Sequence, residues 1–380
     1  MIAKKRLELS CGAVVDDTSL IKPLVPSSAS SRLSYIDFSK GIGIFFVVLV
    51  HALYSSDTST QMWSIHAQAV ILAFVMPLFF MISGALQGKK LRSSSFCDRL
   101  YLKKLVTAIL LPFYSLSLLF AVLNVAFLGG GAGPSFMQML RGMLFEQSNP
   151  SLMPSGVLWY LFVLFVLSVL GYLAFKVNRE NGLYVLLCGG ALLHVLYPLM
   201  FDEINVFAFR RIAQYSLFYF LGLALPRLVL DRKVNYGQLT FVFGECVLLA
   251  GVAAIATFTP ITAIGSVHSL ALVLGLYGIF PSLLLLCVAV LVCDAAKNLL
   301  PVDFLVYCGK CSILIYVFHM PTFLVVKKVG SAMATMPSGL MQVGLLVLCG
   351  LFVPLFYGYL LARIPLLYKV LLGRKPAYPL

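Results

Sequence analysis

The sequence predicts an all-α membrane protein, a polytopic helical bundle of about ten transmembrane helices with both termini in the cytoplasm. Three observations carry that prediction. Of 380 residues, 61% are hydrophobic and only 11% charged, whereas a soluble domain is about half apolar and about a quarter charged; mean hydropathy is +0.98. The apolar residues gather into runs suited to a hydrocarbon layer about 30 Å thick. The basic residues stand at the ends of those runs. The formal net charge of +14 therefore reads as membrane flanks and argues against nucleic acid as a partner.

Residues 1–34 begin with a basic cluster but have no continuous apolar stretch, which makes a poor signal peptide. They read as a mobile cytoplasmic tail, with "PLVPSSASSR" as linker. A membrane domain over 35–370 follows, then a short cytoplasmic tail over 371–380. Spanning segments are expected at 41–56, 65–87, 105–128, 157–175, 182–200, 212–230, 238–258, 267–293, 305–326 and 339–362. The first is short. The eighth is long, and Pro281 is expected to kink or break it. The longest outer connection, 129–156, is rich in glycine and proline and reads as a loop. Within it, "SFMQMLRGMLF" suits a short amphipathic helix on the membrane surface. Trp159 and Tyr160 suit an aromatic belt at the outer interface. At the span ends and in the connections, Arg141, Arg210, Arg211, Lys327 and Lys328 fall on one side and the other 23 of the 28 lysines and arginines on the opposite side. That asymmetry puts both termini inside and supports the count of ten.

The first segment, "YIDFSKGIGIFFVVLVHALYSSD", holds the sharpest chemical signal. Lys40 and His51 are eleven residues apart, close to three helical turns, so they share a face roughly 16 Å apart along the axis. Asp37 joins that face if the helix starts early, and Ser55 joins it one turn beyond His51. Lys40 stands at a helix N-terminus, where a cation is disfavoured by the dipole and calls for a negative partner. Asp37 or a bound phosphate would serve; a plain topology-setting flank is the simpler reading. An intramembrane histidine is costly and usually faces a bundle interior or a wet cavity. In its neutral form it can act as a general base toward a hydroxyl; a hydrogen bond to a neighbouring helix is the alternative.

Other candidates are weaker. His319 lies three after Tyr316 and shares its face. Glu245, inside the seventh segment, needs a partner or a proton. Ser83–Gly84 suits close helix packing as well as a site. Arg99, Lys103 and Lys104 form a basic run that either sets topology or grips an anion. His66 and His268 suit interfacial packing, and His194 is as suited to packing as to function. Of nine cysteines, only Cys308 and Cys311 have a CxxC spacing. With no second pair they read as ordinary residues, and nothing suggests a metal.

The residues Lys40-x10-His51, "PLFFMISGAL" (77–86), "WYLFVLF" (159–165) and "YCGKCSILIYVFHMP" (307–321) occur in an order that resembles the acyltransferase 3 family of integral membrane acyltransferases. The likeness covers about 35–370 and is closest to the branch of fucose O-acetylase-like enzymes. Lys40 stands where most of that family has Arg, and Lys lacks the bidentate fork. Before Pro112 the family often has two arginines three apart; here Arg99, Lys103 and Lys104 precede Thr107 and Ala108, which leaves contacts from that region open. The resemblance implies an inner-membrane enzyme of bacteria. It would move an acetyl or other short acyl group from acetyl-CoA, the donor substrate and not a permanent cofactor, to a hydroxyl of an exopolysaccharide or other surface glycan, free or lipid-linked. His51 would be the base, and Lys40 with Arg99, Lys103 and Lys104 would hold CoA phosphates. Asp37, Ser55, Ser83, Tyr316, His319 and Glu245 would be supporting residues. No soluble domain is expected to follow the membrane part. Two rivals stand beside it: a proton-coupled transporter or flippase of a lipid-linked sugar or organic anion, which would use the same basic mouth and intramembrane histidine, and a non-catalytic subunit of a glycan-assembly complex, in which His51 would be dispensable. The expected partners are thus acyl-CoA, a carbohydrate acceptor, membrane lipid and such a complex.

Overall fold

A computed structural model describes residues 34–93, 96–128, 134–149, 151–153, 155–200, 206–230, 240, 244, 267–295 and 299–374. The N-terminal tail, most of the seventh predicted segment, and Glu245 lie outside the described residues. Among the described residues all regular structure is helical.

Helix α1 (Ser34–Ser55) starts earlier than the apolar run alone suggested and takes Asp37 into its first turn. Helix α2 (Met62–Leu91) carries Pro77 inside it. Helix α3 (Asp98–Leu105) passes through a single wide π-turn, Val106–Leu110, into α4 (Leu111–Leu128). In the outer connection, α5 (Phe136–Phe145) forms where the amphipathic stretch was expected. Its start is set by a reciprocal capping box between Ser135 and Gln138. Helix α6 (Trp159–Met200) holds the fourth and fifth predicted segments as two arms broken at Asn178 and Arg179. The arms pack closely, since a Cβ on Gly182 would strike the Ala174 carbonyl oxygen. Then come α7 (Phe209–Ala224), α8 (Pro226–Leu230) and α9 (Val267–Ala295), which runs through Pro281 unbroken. The ninth segment is divided at Cys311 into α10 (Leu300–Lys310) and α11 (Ser312–Ala332), and α12 (Gly339–Ala362) and α13 (Pro365–Leu372) complete the chain. Among the described residues six helices are long and apolar enough to cross a membrane, a seventh apolar stretch, Gly278–Cys293, being shorter.

Helix α1 is the hub. It touches α2, α9, α10, α11 and α12, and 67% of its most apolar window is buried, more than in the other five spans. Small residues make this possible. A Cβ on Gly41 would land on the Leu305 carbonyl oxygen, and one on Gly309 on that of Asp37, so α1 and α10 meet backbone to backbone. A second crossing of this kind joins α2 to α7, with Gly84 against Tyr219 and Gly222 against Met81. The predicted small pair at Ser83–Gly84 is thereby split: Gly84 packs, and Ser83 is free to face a cavity. Behind the crossing, Gln87 donates to the Tyr101 hydroxyl (2.6 Å) and the Ser168 carbonyl (2.8 Å) and accepts from Tyr219. This network ties α2, α3, α6 and α7 together with buried polar groups satisfied.

Candidate functional site

The polar stripe of α1 lies along two cavities. Lys40 and Ile44 line a narrow one of about 160 Å³, together with Ser83, Tyr160 and Tyr316. Val47 and His51, one and two turns further on, line a wider vestibule of about 640 Å³. These four residues recur at intervals of four, three and four, the spacing of one helical face. The two cavities share two wall residues, Met76 from α2 and Tyr316 from α11. Lys40 and His51 therefore serve adjoining chambers at opposite ends of one face.

The Lys40 chamber takes part of its wall from Ala108 and Ile109 in the π-turn. A π-turn inserts one extra residue into a helix and re-aims its backbone, and such turns gather at functional sites. The stretch without the second basic residue thus still reaches the chamber, through backbone and apolar groups. Across the chamber Tyr160 and Ser83 bring their hydroxyls within 3.4 Å of each other. The Tyr160 ring meets Tyr316 edge-on, with centroids 5.4 Å apart. Tyr316 donates its hydroxyl proton to the Val157 carbonyl, which fixes the ring between the chambers.

His51 is backed by His319, their ring centroids 5.1 Å apart. His319 is fully buried. Its Nδ1 lies 3.1 Å from the Ile315 carbonyl oxygen; a carbonyl only accepts, so in the neutral ring Nδ1 carries the hydrogen and Nε2 keeps a lone pair. That Nε2 has no hydrogen-bond partner.

The remaining predicted residues are placed less centrally. Asp37 is buried where α10 crosses α1. Ser55 ends α1, where its carbonyl accepts from Lys327 at 2.7 Å, and it lines neither chamber. Arg99, Lys103 and Lys104 are exposed on α3. Lys104 borders a separate cavity of about 220 Å³ with Lys90; Arg99 and Lys103 line neither that cavity nor the two chambers. Cys308 and Cys311 are buried beside the α10–α11 break.

Several site residues escaped sequence reasoning. Trp159 and Tyr160 read as an interfacial belt, but both rings turn inward. Tyr160 enters the Lys40 chamber, and Trp159 stacks on Tyr215 (5.4 Å, 19°) in the vestibule wall. Which way a ring on a mostly apolar helix points depends on the neighbour it packs against, here α2 and α7. Arg211 and His194 also line the vestibule. Arg211 was visible only as one of five cations on the minority side; His194 carried no signal beyond its burial in an apolar run.

A family model described as an acyltransferase domain, that of the acyltransferase 3 family, matches residues 33–363. No curated protein and no solved structure matches the chain.

Proposed function

The chain belongs to the acyltransferase 3 family, and from that membership we propose that it is a membrane O-acyltransferase carrying a short acyl group, acetyl first, from coenzyme A to a hydroxyl of a surface glycan. In this reading about ten spans cross a bacterial inner membrane with both termini in the cytoplasm. The Lys40 chamber receives the donor from the cytoplasmic side and the vestibule receives the acceptor from the outer side. The observation that supports it is the meeting of the two chambers at Met76 and Tyr316, beside His51.

Lys40 attracts the anionic end of acyl-CoA, and Arg99, Lys103 and Lys104 add long-range steering. The pantetheine arm follows the α1 stripe, whose length of roughly 16 Å between Lys40 and His51 suits its reach. Ser83 and Tyr160 offer hydroxyls along that path. His51 takes the proton of the acceptor hydroxyl as its oxygen attacks the thioester carbonyl carbon. The C–S bond breaks, and the proton returns from His51 to the departing CoA sulfur. His319, packed behind His51, positions its ring. Holding both reactants in adjoining, largely apolar chambers supplies much of the rate by removing the entropy of encounter.

The test is His51→Ala. The side chain borders a cavity, so the variant is expected to insert and fold. Loss of a general base is expected to lower acyl transfer about 10²–10⁴-fold, read as ester-linked acyl groups on surface polysaccharide and as CoA release by purified protein. Undiminished acylation refutes the mechanism.

A further inference from the structure

We propose that the vestibule binds an oxyanion carried by the acceptor, held by Arg211, so that the glycan acylated is an anionic one. This rests on the acyltransferase reading and says which class of acceptor fits it.

Arg211 sits in the first turn of α7, which holds no acidic residue. A cation at a helix N-terminus opposes the dipole and gains from an anion placed there. The two residues before the helix, Phe207 and Ala208, both adopt positive φ (52° and 54°). Such backbone is strained for residues with side chains, and here it sets the entry angle of the turn that carries the arginines. The Arg211 guanidinium lies 5.0 Å over the Trp159 ring and donates to Gln214 Oε1 at 2.9 Å. Tyr215 beside it is also neutral, so among the described residues no carboxylate pairs with this guanidinium. No Asp or Glu among the described residues lines the vestibule.

His194 is 4% exposed and lines the vestibule. Its Nδ1 lies 2.7 Å from the Gln214 carbonyl oxygen, and its Nε2 has no partner. Buried polar atoms are almost always paired. The edge of the His194 ring that carries Nε2 is turned to Gly275 of α9, where a Cβ would stand 2.9 Å from it, so the oxyanion is assigned to Arg211, for which it would supply the counter-charge that the described wall lacks. A fixed cation in a low-dielectric wall, supported by an aromatic face, is also a costly feature for a binding site meant for a neutral sugar. Two sources share this chemistry: a carboxylate on the sugar ring, and a phosphate joining the sugar to a lipid.

The chain has two tryptophans, and Trp63 is exposed. Trp63→Phe therefore leaves Trp159, in contact with Arg211, as the sole fluorescent reporter. Purified full-length protein would be titrated with glucuronate, glucose 1-phosphate and glucose. The expected result is a saturable change with at least one anionic sugar, with glucose about tenfold to a hundredfold weaker. Arg211→Gln should abolish the difference and Arg211→Lys should keep part of it. Preference for glucuronate identifies the ring carboxylate as source; preference for glucose 1-phosphate identifies the linking phosphate. Equal response to glucose, no saturable response to either anionic sugar, or an unchanged titration in Arg211→Gln overturns the proposal. The same titration in His51→Ala separates the two readings. Intact anion binding with intact acyl transfer there refutes the catalytic mechanism and leaves the anion site standing.

Discussion

The α2–α7 crossing offers the sharpest perturbation of the structure. A Cβ added at Gly84 would land on the Tyr219 carbonyl oxygen and 3.0 Å from the Leu223 nitrogen; one at Gly222 would land on the Met81 carbonyl oxygen and 3.0 Å from the Ala85 nitrogen. Both obstacles are helix backbone, which cannot swing aside as a flexible side chain would. Carbon and carbonyl oxygen tolerate about 3.3 Å at closest, so the helices must part by on the order of 1 Å. Overpacking of this kind costs about 1–3 kcal/mol. Activity should suffer too, because α7 carries Arg211, Gln214 and Tyr215 into the vestibule while α2 carries Met76 and Ser83. A misplacement of about 1 Å can cost about 10²-fold in rate. Gly84→Ala and Gly222→Ala are each expected to lower the Tm of detergent-purified protein and to reduce acyl transfer. Gly344→Ala is the control: a Cβ there meets nothing within 4 Å, so its stability should stay within about 1 kcal/mol of the parent. If Gly84→Ala keeps both Tm and rate while Gly344→Ala behaves no differently, the backbone-contact account of this crossing is wrong.

Other outcomes follow from single contacts. His319→Gln keeps a donor for the Ile315 carbonyl and an acceptor near His51, whereas His319→Phe keeps only volume; the Gln variant should retain more kcat, the Phe variant losing about 10²-fold. The reverse ranking, with Phe the more active, assigns His319 to packing alone. Lys40→Gln should raise the KM for acyl-CoA more than it lowers kcat, by removing a charge that attracts phosphates; an unchanged KM ends the phosphate role. Arg92 pairs with Glu180 at 2.5 Å but also donates to the Gly88, Leu223 and Ala224 carbonyls. The pair is partly exposed, so a double-mutant cycle should give a coupling below about 1 kcal/mol. Arg92→Ala alone should cost more than Glu180→Ala, because it strips partners from helix-end carbonyls. Equal losses in the two single variants would contradict this division.

Much of the site's axis was legible in one segment. The three-turn spacing of Lys40 and His51 depends only on helix periodicity, which is local, and the structure lays both residues on cavity walls along that face. The start of α5 was legible for the same reason, its capping box being a matter of residues three apart. Arg211 and His194 were not legible, because neither sits in a local pattern that distinguishes a cavity wall from packing. The inward turn of Trp159 and Tyr160 was not legible either, since an apolar helix offers lipid and protein much the same face.

By itself, then, the sequence determined the chain's solvent, its helical class, its family and the polar stripe of α1. Solvent, class and stripe follow from composition and from periodicities of a few residues, which need no knowledge of neighbours; the family rests on the resemblance of four ordered blocks and on the family model that matches residues 33–363. Only the tertiary structure decided that the stripe runs along two adjoining chambers, that Tyr316 and Met76 stand where they meet, and that α7 brings Arg211 across to face His51's vestibule. That arrangement depends on glycines far apart in the chain, Gly84 with Gly222 and Gly41 with Gly309, allowing backbones to touch. Contacts of this kind are set by which helices meet, and no local pattern records them.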